Sequence, residues 1–367
     1  MGVSVAVVGG GAAGTLVAVH LLRAGAPVDV TMVERTDRVA RGVAYSTTFP
    51  DHLLNVVAAN MGGPADDPGH FRSWLAEYRQ PVRATSFMPR GAYGDYLEHL
   101  LEQSIADAPP GAFELVHGEA VGVSRVGERW LVQLAVGGSI ECDRLVLATG
   151  VPPPLDPPLA HGAWPVDSPL YLPNPWAPGG LEGLAGGENL LLVGTGLTMV
   201  DIALRLIDLR PAASIVAISR SGLVPQPHRW PGQRVVIDYQ PPAPGTPLKD
   251  LPPAFRAATK ISYARGGDWR DVINAVRPYT QGIWKGLTLD DQRRFLRTYL
   301  RYWDIHRHRM APAVAAWIAS LRESGQLTIV SGALQSVDLA GGGLARRRQE
   351  DPGDAVDGEF CQRLGDQ

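Results

Sequence analysis

Cysteine is scarce in this chain: Cys142 and Cys361 are the only two, far apart and outside any C-x-x-C. That excludes a dithiol-relay oxidoreductase and fits a reducing compartment. Cys142 lies between Glu141 and Asp143, and neighbouring acids raise a thiol pKa, so it reads as inert. Long apolar runs are also missing. The opening run from Val3 to Val8 is too short to span a bilayer and follows no basic segment, so it reads as a strand and not as a signal peptide. A cytoplasmic protein with no membrane partner is expected. Charge of one sign is lacking as well, since 34 basic and 37 acidic residues leave a net charge of −3 and a pI near 6.3. No electrostatic footprint for nucleic acid stands out. There is no G-x-S-x-G elbow and no carboxylate pair spaced for hydrolysis, which sets hydrolases aside.

What is present describes an ordinary globular protein: 45% hydrophobic residues, 19% charged residues and a mean hydropathy of −0.03. At 367 residues the chain exceeds the size at which one core keeps growing, so two domains are expected. The N-terminus alternates strand and helix, with an apolar run at Val3–Val8, helical periodicity at Ala12–Arg23 and a second strand at Val28–Val33. Helices are expected around Phe71–Tyr78 and Tyr93–Ile105, then short strands near Phe113–Val116, Trp130–Ala135 and Arg144–Ala148. From Val151 the chain is Pro-rich and then Gly-rich, which reads as a crossing between domains.

A second strand, glycine turn and helix begin at Leu190, with the helix over Met199–Leu209 and a further strand at Ile215–Ile218. A Pro-rich loop over Pro225–Pro253 leads into a mostly helical region at about 255–322, read as a lid or cap. After a strand at Leu327–Val330 the chain turns at Gly341–Gly343 and offers no further strong strand. The expected fold is α/β with two Rossmann-like dinucleotide-binding domains, the second inserted into the first. Its boundaries are 1–165, 166–330 and a return over 331–367.

Gly9, Gly11 and Gly14 form G-x-G-x-x-G between the first strand and helix. In that context the first glycine makes the turn, the second admits a pyrophosphate and the third packs helix on strand. The helix start supplies free N–H groups and partial positive charge. Glu34 closes the next strand, where a carboxylate accepts hydrogen bonds from both ribose hydroxyls. A 2′-phosphate there would be repelled by about 4 kcal/mol at about 4 Å and an effective dielectric near 20, which selects FAD or NAD.

The second unit repeats the turn with Gly194 and Gly196, but Met199 occupies the third glycine position. Its strand ends in Ser219 and Arg220, and Arg220 lies 24 residues after Gly196 just as Glu34 lies 23 after Gly11. A guanidinium pairs bidentately with a phosphate dianion and a serine adds a donor, so this site should prefer NADPH over NADH. FAD in the first site and NADPH in the second lets hydride pass to the flavin, which carries the hard chemistry. The pair His306 and His308 sits two residues apart, on different helix faces, and does not chelate as an i, i+4 pair would, so no metal is expected. Arg307 or Arg309 is either an anion ligand or a salt-bridge partner of Asp304 or Glu323. His228 either lines a cleft or decorates the surface.

Eight stretches carry a family resemblance: VVGGGAAG (Val7–Gly14), RGVAYST (Arg41–Thr47), HLLNV (His52–Val56), FMPRGAYGDYL (Phe87–Leu97), LATG (Leu147–Gly150), LLVGTGLTMVDIAL (Leu191–Leu204), SRSGLVPQPHR (Ser219–Arg229) and YWDIHRHRMAP (Tyr302–Pro312). In these the chain resembles the FAD/NAD(P)-binding group that includes flavin-dependent urate hydroxylase and the aspartate N-monooxygenases that make nitrosuccinate. In that group GTGLTM is the usual form of the second site. The resemblance implies a monooxygenase that consumes NAD(P)H and O2 and hydroxylates a small polar amine, amino acid or heterocycle. It places Ala13, Arg35, Ala44, Tyr45, Asn55, Val56, Arg90 and Val121 along the FAD, with Thr149 and Gly150 over its pyrophosphate side. Read from the residues alone, Tyr45 and Val56 are equally core, and Arg90 equally a partner of Asp95. Members of the group continue with a last strand and a glycine-rich segment at the flavin, which the tail Asp351–Gln367 does not show. Two alternatives therefore stand beside the monooxygenase: an NADPH oxidase or dehydrogenase that inserts no oxygen, and a nucleotide-binding remnant that does not retain flavin. Substrate, catalytic residues and oligomeric state stay open.

Overall fold

A computed structural model describes residues 2–184, 187–230, 239–340 and 343–349. The chain divides into two compact units, 1–154 and 155–367. Asp351–Gln367 lies outside the described residues.

The first unit runs β1 (Val3–Val8), α1 (Ala12–Arg23), β2 (Val28–Glu34), the short α2 (Gly42–Tyr45), α3 (His70–Tyr78), α4 (Arg90–Asp107), β3 (Phe113–His117), β4 (Ala120–Val126), β5 (Arg129–Leu134), β6 (Ser139–Cys142) and β7 (Arg144–Leu147). Strands β3-β2-β1-β7 form one parallel sheet and β4-β5-β6 an antiparallel one. The apolar run of β1 is buried on both faces, as a central parallel strand must be. Val5 and Val7 face a core made by Ala18 and Val19 of α1, Phe71 and Trp74 of α3, and Tyr96, Leu97 and Leu100 of α4. Ala6 and Val8, pointing the other way by the period of two, pack with Val132 of β5 and Cys142. Burial also pushes the Cys142 thiol pKa up, in keeping with an inert cysteine.

The second unit runs α5 (Gly180–Gly183), β8 (Asn189–Val193), α6 (Leu197–Leu209), β9 (Ser214–Ser219), then α7 (Leu251–Ala264), α8 (Trp269–Val276), α9 (Thr280–Gly286), α10 (Leu289–Thr298), α11 (Leu300–Arg307) and α12 (Pro312–Glu323). Strands β10 (Leu327–Ser331), β11 (Ala333–Ala340) and β12 (Gly343–Gln349) follow. The parallel order is β10-β9-β8. Helix α8 starts with a full capping box, in which Asp268 accepts from Arg270 N at 2.7 Å and Asp271 accepts from Asp268 N at 2.9 Å.

The expectation of no strand after Val330 is corrected, because β11 and β12 pair as an antiparallel hairpin. Its first strand hides from pattern reading because of a register shift between Leu334 and Ser336. The shift puts the buried side chains at Leu334 and Val337, three residues apart instead of two. Strand β4 also escaped the periodicity, since most of its residues are exposed. The helices of the cap occupy the expected stretch but begin earlier, since α7 starts at Leu251 and takes Pro252 and Pro253 into its first turn, and the first turn of α4 reaches three residues further back, to Arg90.

Candidate functional site

In the first unit the chain leaves β1 with Gly9 at φ +103°, a conformation that favours glycine. Gly9 N donates to Val33 O at 2.8 Å, which ties the turn to β2. A Cβ on Gly9 would stand 2.2 Å from Ala148 O, so the segment that carries Thr149 and Gly150 lies against the turn. A Cβ on Gly14 would stand 1.9 Å from Gly9 O. Both glycines are therefore dictated by close backbone approach. Gly11 caps α1, and exposed Ala13 follows in its first turn.

Glu34 is held at the turn by both oxygens. Oε2 accepts from Gly10 N at 2.7 Å, and Oε1 accepts from Thr36 N and Thr36 Oγ1, each at 2.8 Å. Arg35, exposed, pairs with Glu119 at 3.9 Å. That pair brings the start of β4 to the end of β2, with exposed Val121 two residues further on.

The segment after β2 covers the turn. Ala40 N donates to Gly10 O at 2.6 Å, and Gly42, at φ +53°, would place a Cβ 3.5 Å from Gly11 Cα. Arg41 beside it is buried and pairs with Glu98 at 2.6 Å and with Asp95. The Glu98 bond raises its pKa, and the same bond holds the Glu98 carboxyl low. Sequence reading missed Arg41 as the anchor of this segment, although it opens the RGVAYST stretch.

Ala44 is exposed on α2. Tyr45 packs edge-on to Tyr93 at 4.8 Å, and burial raises its pKa against the lowering charge of Arg90. The segment with Asn55 and Val56 is zipped to the one before α4: Leu54 N donates to Met88 O at 2.8 Å and Arg90 N to His52 O at 2.8 Å. Arg90 Nε donates to Leu53 O at 3.1 Å. Asp95 pairs with Arg41 and with Arg79.

The second unit repeats this construction. Gly194, at φ +111°, donates its N–H to Ile218 O at 2.7 Å, the counterpart of the Gly9 bond. Gly196 caps α6, and Val200 N donates to its carbonyl as Thr15 N does to Gly11 O. Met199 is buried at the position where Gly14 has no room for a Cβ, so here the helix accommodates a side chain. Thr195 stands where the first site has Gly10. Its Oγ1 lies 2.8 Å from Ser219 Oγ and donates to Leu223 O at 2.5 Å. This residue, absent from the expected site, was visible as the middle of GTG. Arg220 is exposed at the strand end, and its carbonyl accepts from Ser331 Oγ at 3.0 Å.

The loop after Arg220 is stitched to the end of α11. Gln226 N donates to Ile305 O, Met310 N to Gln226 O and His228 N to Met310 O, at 2.8 to 2.9 Å. Arg229 binds Asp268 and Asp271, each at 2.8 Å. Arg309 donates to Asn274 at 2.6 Å and lies over Trp269, contacts that involve neither carboxylate considered for it. His308 lies 3.9 Å from Asp304. No group of three or more metal-ligating side chains occurs among the described residues. No described helix is long and apolar enough to cross a membrane.

Residues 6–152 match the FAD-NAD(P)-binding family. The first unit carries an FAD/NAD(P)-binding domain. Among solved structures, the reduced form of ornithine hydroxylase from Pseudomonas aeruginosa is similar over 96% of this chain and 78% of its own, at 13% identity and TM-score 0.54. The NADP+-bound cyclohexanone monooxygenase from Rhodococcus sp. Phi1 is similar over 61% of this chain at 18% identity and TM-score 0.42. Bacillithiol disulfide reductase from Staphylococcus aureus follows over 60% of this chain at 16% identity and TM-score 0.41. The chain spans 39% of the length of that monooxygenase and 58% of that reductase. No curated protein matches the sequence. The likeness to the hydroxylase is one of fold alone.

Proposed function

We propose that the chain is an NADPH-consuming, FAD-dependent monooxygenase of the urate hydroxylase and aspartate N-monooxygenase group, acting in the cytoplasm on a small polar amine, amino acid or heterocycle. The observation that carries the assignment of nucleotides is the reversal at the two strand ends. Glu34 presents a carboxylate at a glycine turn whose close backbone contacts leave no room for a Cβ. The equivalent end of β9 presents the Ser219 hydroxyl and exposed Arg220. The first turn fits a pyrophosphate and an unphosphorylated ribose, and the second a 2′-phosphate.

When bound, FAD takes hydride from the nicotinamide and activates oxygen. The protein binds and orients. The N–H groups at the start of α1 face the first pyrophosphate, and Glu34 exchanges its bonds to Gly10 and Thr36 for ribose hydroxyls. Arg90, its Nε on Leu53 O, supplies fixed positive charge beside Tyr45. Ser219, whose hydroxyl hydrogen rests on Thr195 Oγ1 because that of Thr195 goes to Leu223 O, turns it to the phosphate of NADPH. The resemblance also supports residues 166–330 as an insertion, with the chain returning to the FAD domain over 331–367.

The deciding experiment is cofactor content followed by product accounting. Purified protein should be yellow or become so with FAD, and should oxidise NADPH faster than NADH. With a substrate from an amine, amino-acid and heterocycle panel, hydrogen peroxide should fall well short of NADPH consumed. Peroxide equal to NADPH throughout the panel would favour an oxidase, and a colourless protein that FAD does not reconstitute would overturn the reading.

A further inference from the structure

The helices of the second unit enclose a cavity of about 100 Å3 that opens to solvent, walled chiefly by Leu251, Phe255, Trp269, Val272, Trp303 and His306. None of the glycine-turn residues lines it. The wall is mostly carbon, with six aromatic side chains among its residues and few polar atoms. Thr259, also in the wall, already donates its hydroxyl to Phe255 O at 2.9 Å. Arg256 is exposed and stands at the mouth.

His306 differs from the other lining groups. It is 9% exposed, and Trp269 meets its ring edge-on at 4.6 Å between centroids. Nδ1 lies 2.7 Å from Tyr302 O. A carbonyl only accepts, so Nδ1 carries the hydrogen, and in the neutral ring Nε2 is then a lone-pair acceptor. Burial keeps the ring neutral by lowering its pKa, against the raising effect of the Tyr302 bond. A largely apolar chamber with a fixed acceptor in its wall follows.

That chemistry selects its occupant. An apolar cavity of about 150 Å3 is known to take up benzene; this one, smaller at about 100 Å3 but open to solvent, has room for at most one ring, with substituents directed out of the mouth. An ion seated among the inner side chains would lose its hydration, and the charged side chain of the wall, Arg256, is exposed instead of buried with it. Aromatic walls favour an aromatic ring by edge and face contacts. The acceptor calls for one hydroxyl or N–H. We propose that this cavity is a binding site for an uncharged single-ring aromatic compound bearing one such donor, seated against Trp269 and Trp303 with the donor on His306 Nε2. The site goes beyond the redox reading and is tested without it.

The test uses the full chain with phenol as probe, compared with benzene and benzoate, followed by ligand-observed NMR and by the imidazole 15N spectrum. Phenol should bind saturably and shift the His306 Nε2 resonance. Benzene should bind about three- to tenfold more weakly, the discrimination of one neutral hydrogen bond, and benzoate more weakly than phenol. Ile273→Trp, which fills the cavity, should abolish phenol binding, and His306→Asn should make phenol and benzene equal. Phenol binding that survives Ile273→Trp, an unshifted Nε2 resonance at saturation, or benzoate binding as tightly as phenol would each overturn the proposal. The 15N measurement is made on the unsubstituted chain, so it decides the matter even where a substituted one misfolds.

Discussion

Glu34 and Arg220 close corresponding strands with opposite charge, and each makes a separable prediction. Arg220→Ala should raise the KM for NADPH about ten- to a hundredfold, the worth of a charged hydrogen bond to phosphate, while NADH kinetics stay unchanged. Equal loss with both coenzymes would remove Arg220 from the site. Gly14→Ala is expected to do more than trim affinity. Its methyl would fall 1.9 Å from Gly9 O, so the helix must shift off the strand, at a cost of about 1–3 kcal/mol. Urea unfolding and flavin content should both report the loss. Met199→Ala, where a side chain is already accommodated, should leave the second turn folded.

Helix α8 shows how one residue serves two levels of structure. Asp268 caps it and also binds Arg229 and Arg270, joining the loop after β9 to the cap. Asp268→Ala should cost about 2–4 kcal/mol in urea unfolding, the sum of a lost cap and two half-buried cations left partly unpaired. Asp268→Asn, which still caps, should cost less. Burial pushes this carboxyl up, but the bonds from Arg229 and from Arg270 N outweigh it and hold its pKa below the usual value. A depressed carboxylate stabilises the fold above its unfolded pKa and loses that contribution as pH falls through the folded one. The Asn variant should therefore lose less stability than the wild type on acidification below about pH 4, and parallel pH curves would remove Asp268 as the cause.

At this scale the sequence was readable where a pattern had a single physical cause. The β1 run, the α1 periodicity and the glycine turn are local, and the structure places each where the pattern predicts. The joining of segments was not readable. That Arg41 reaches Glu98, that Thr195 bridges to Ser219 and Leu223, and that α11 ends on the Gln226 loop depends on contacts between residues far apart in the chain. The cap cavity was hidden for the same reason, because its wall draws on α7, α8, α10 and α11. Tyr302 fixes the protonation of His306 from one turn away, a detail that depends on geometry.

For the molecule as a whole, two units meet in sequence at 154 and 155. There Val151 and Leu155 are 87% and 91% exposed, in a stretch without regular structure. Brief treatment with a broad-specificity protease should nick the chain first within about residues 151–156, since exposed irregular backbone is cut before packed elements. Terminal sequencing of the fragments checks this, and a first cut inside α4 or α6 would contradict it. Both units should outlast the nick, each having its own sheet and buried side chains.

The bonds that Glu34 makes to its own backbone have a consequence for how the protein handles cofactor. With Gly10 and Thr36 already fastened to that carboxylate, the turn has its shape before any nucleotide arrives, and on the proposed reading docking trades one set of partners for another instead of ordering slack chain. Stripping the flavin should then be reversible: dialysis back into FAD restores occupancy without a refolding step.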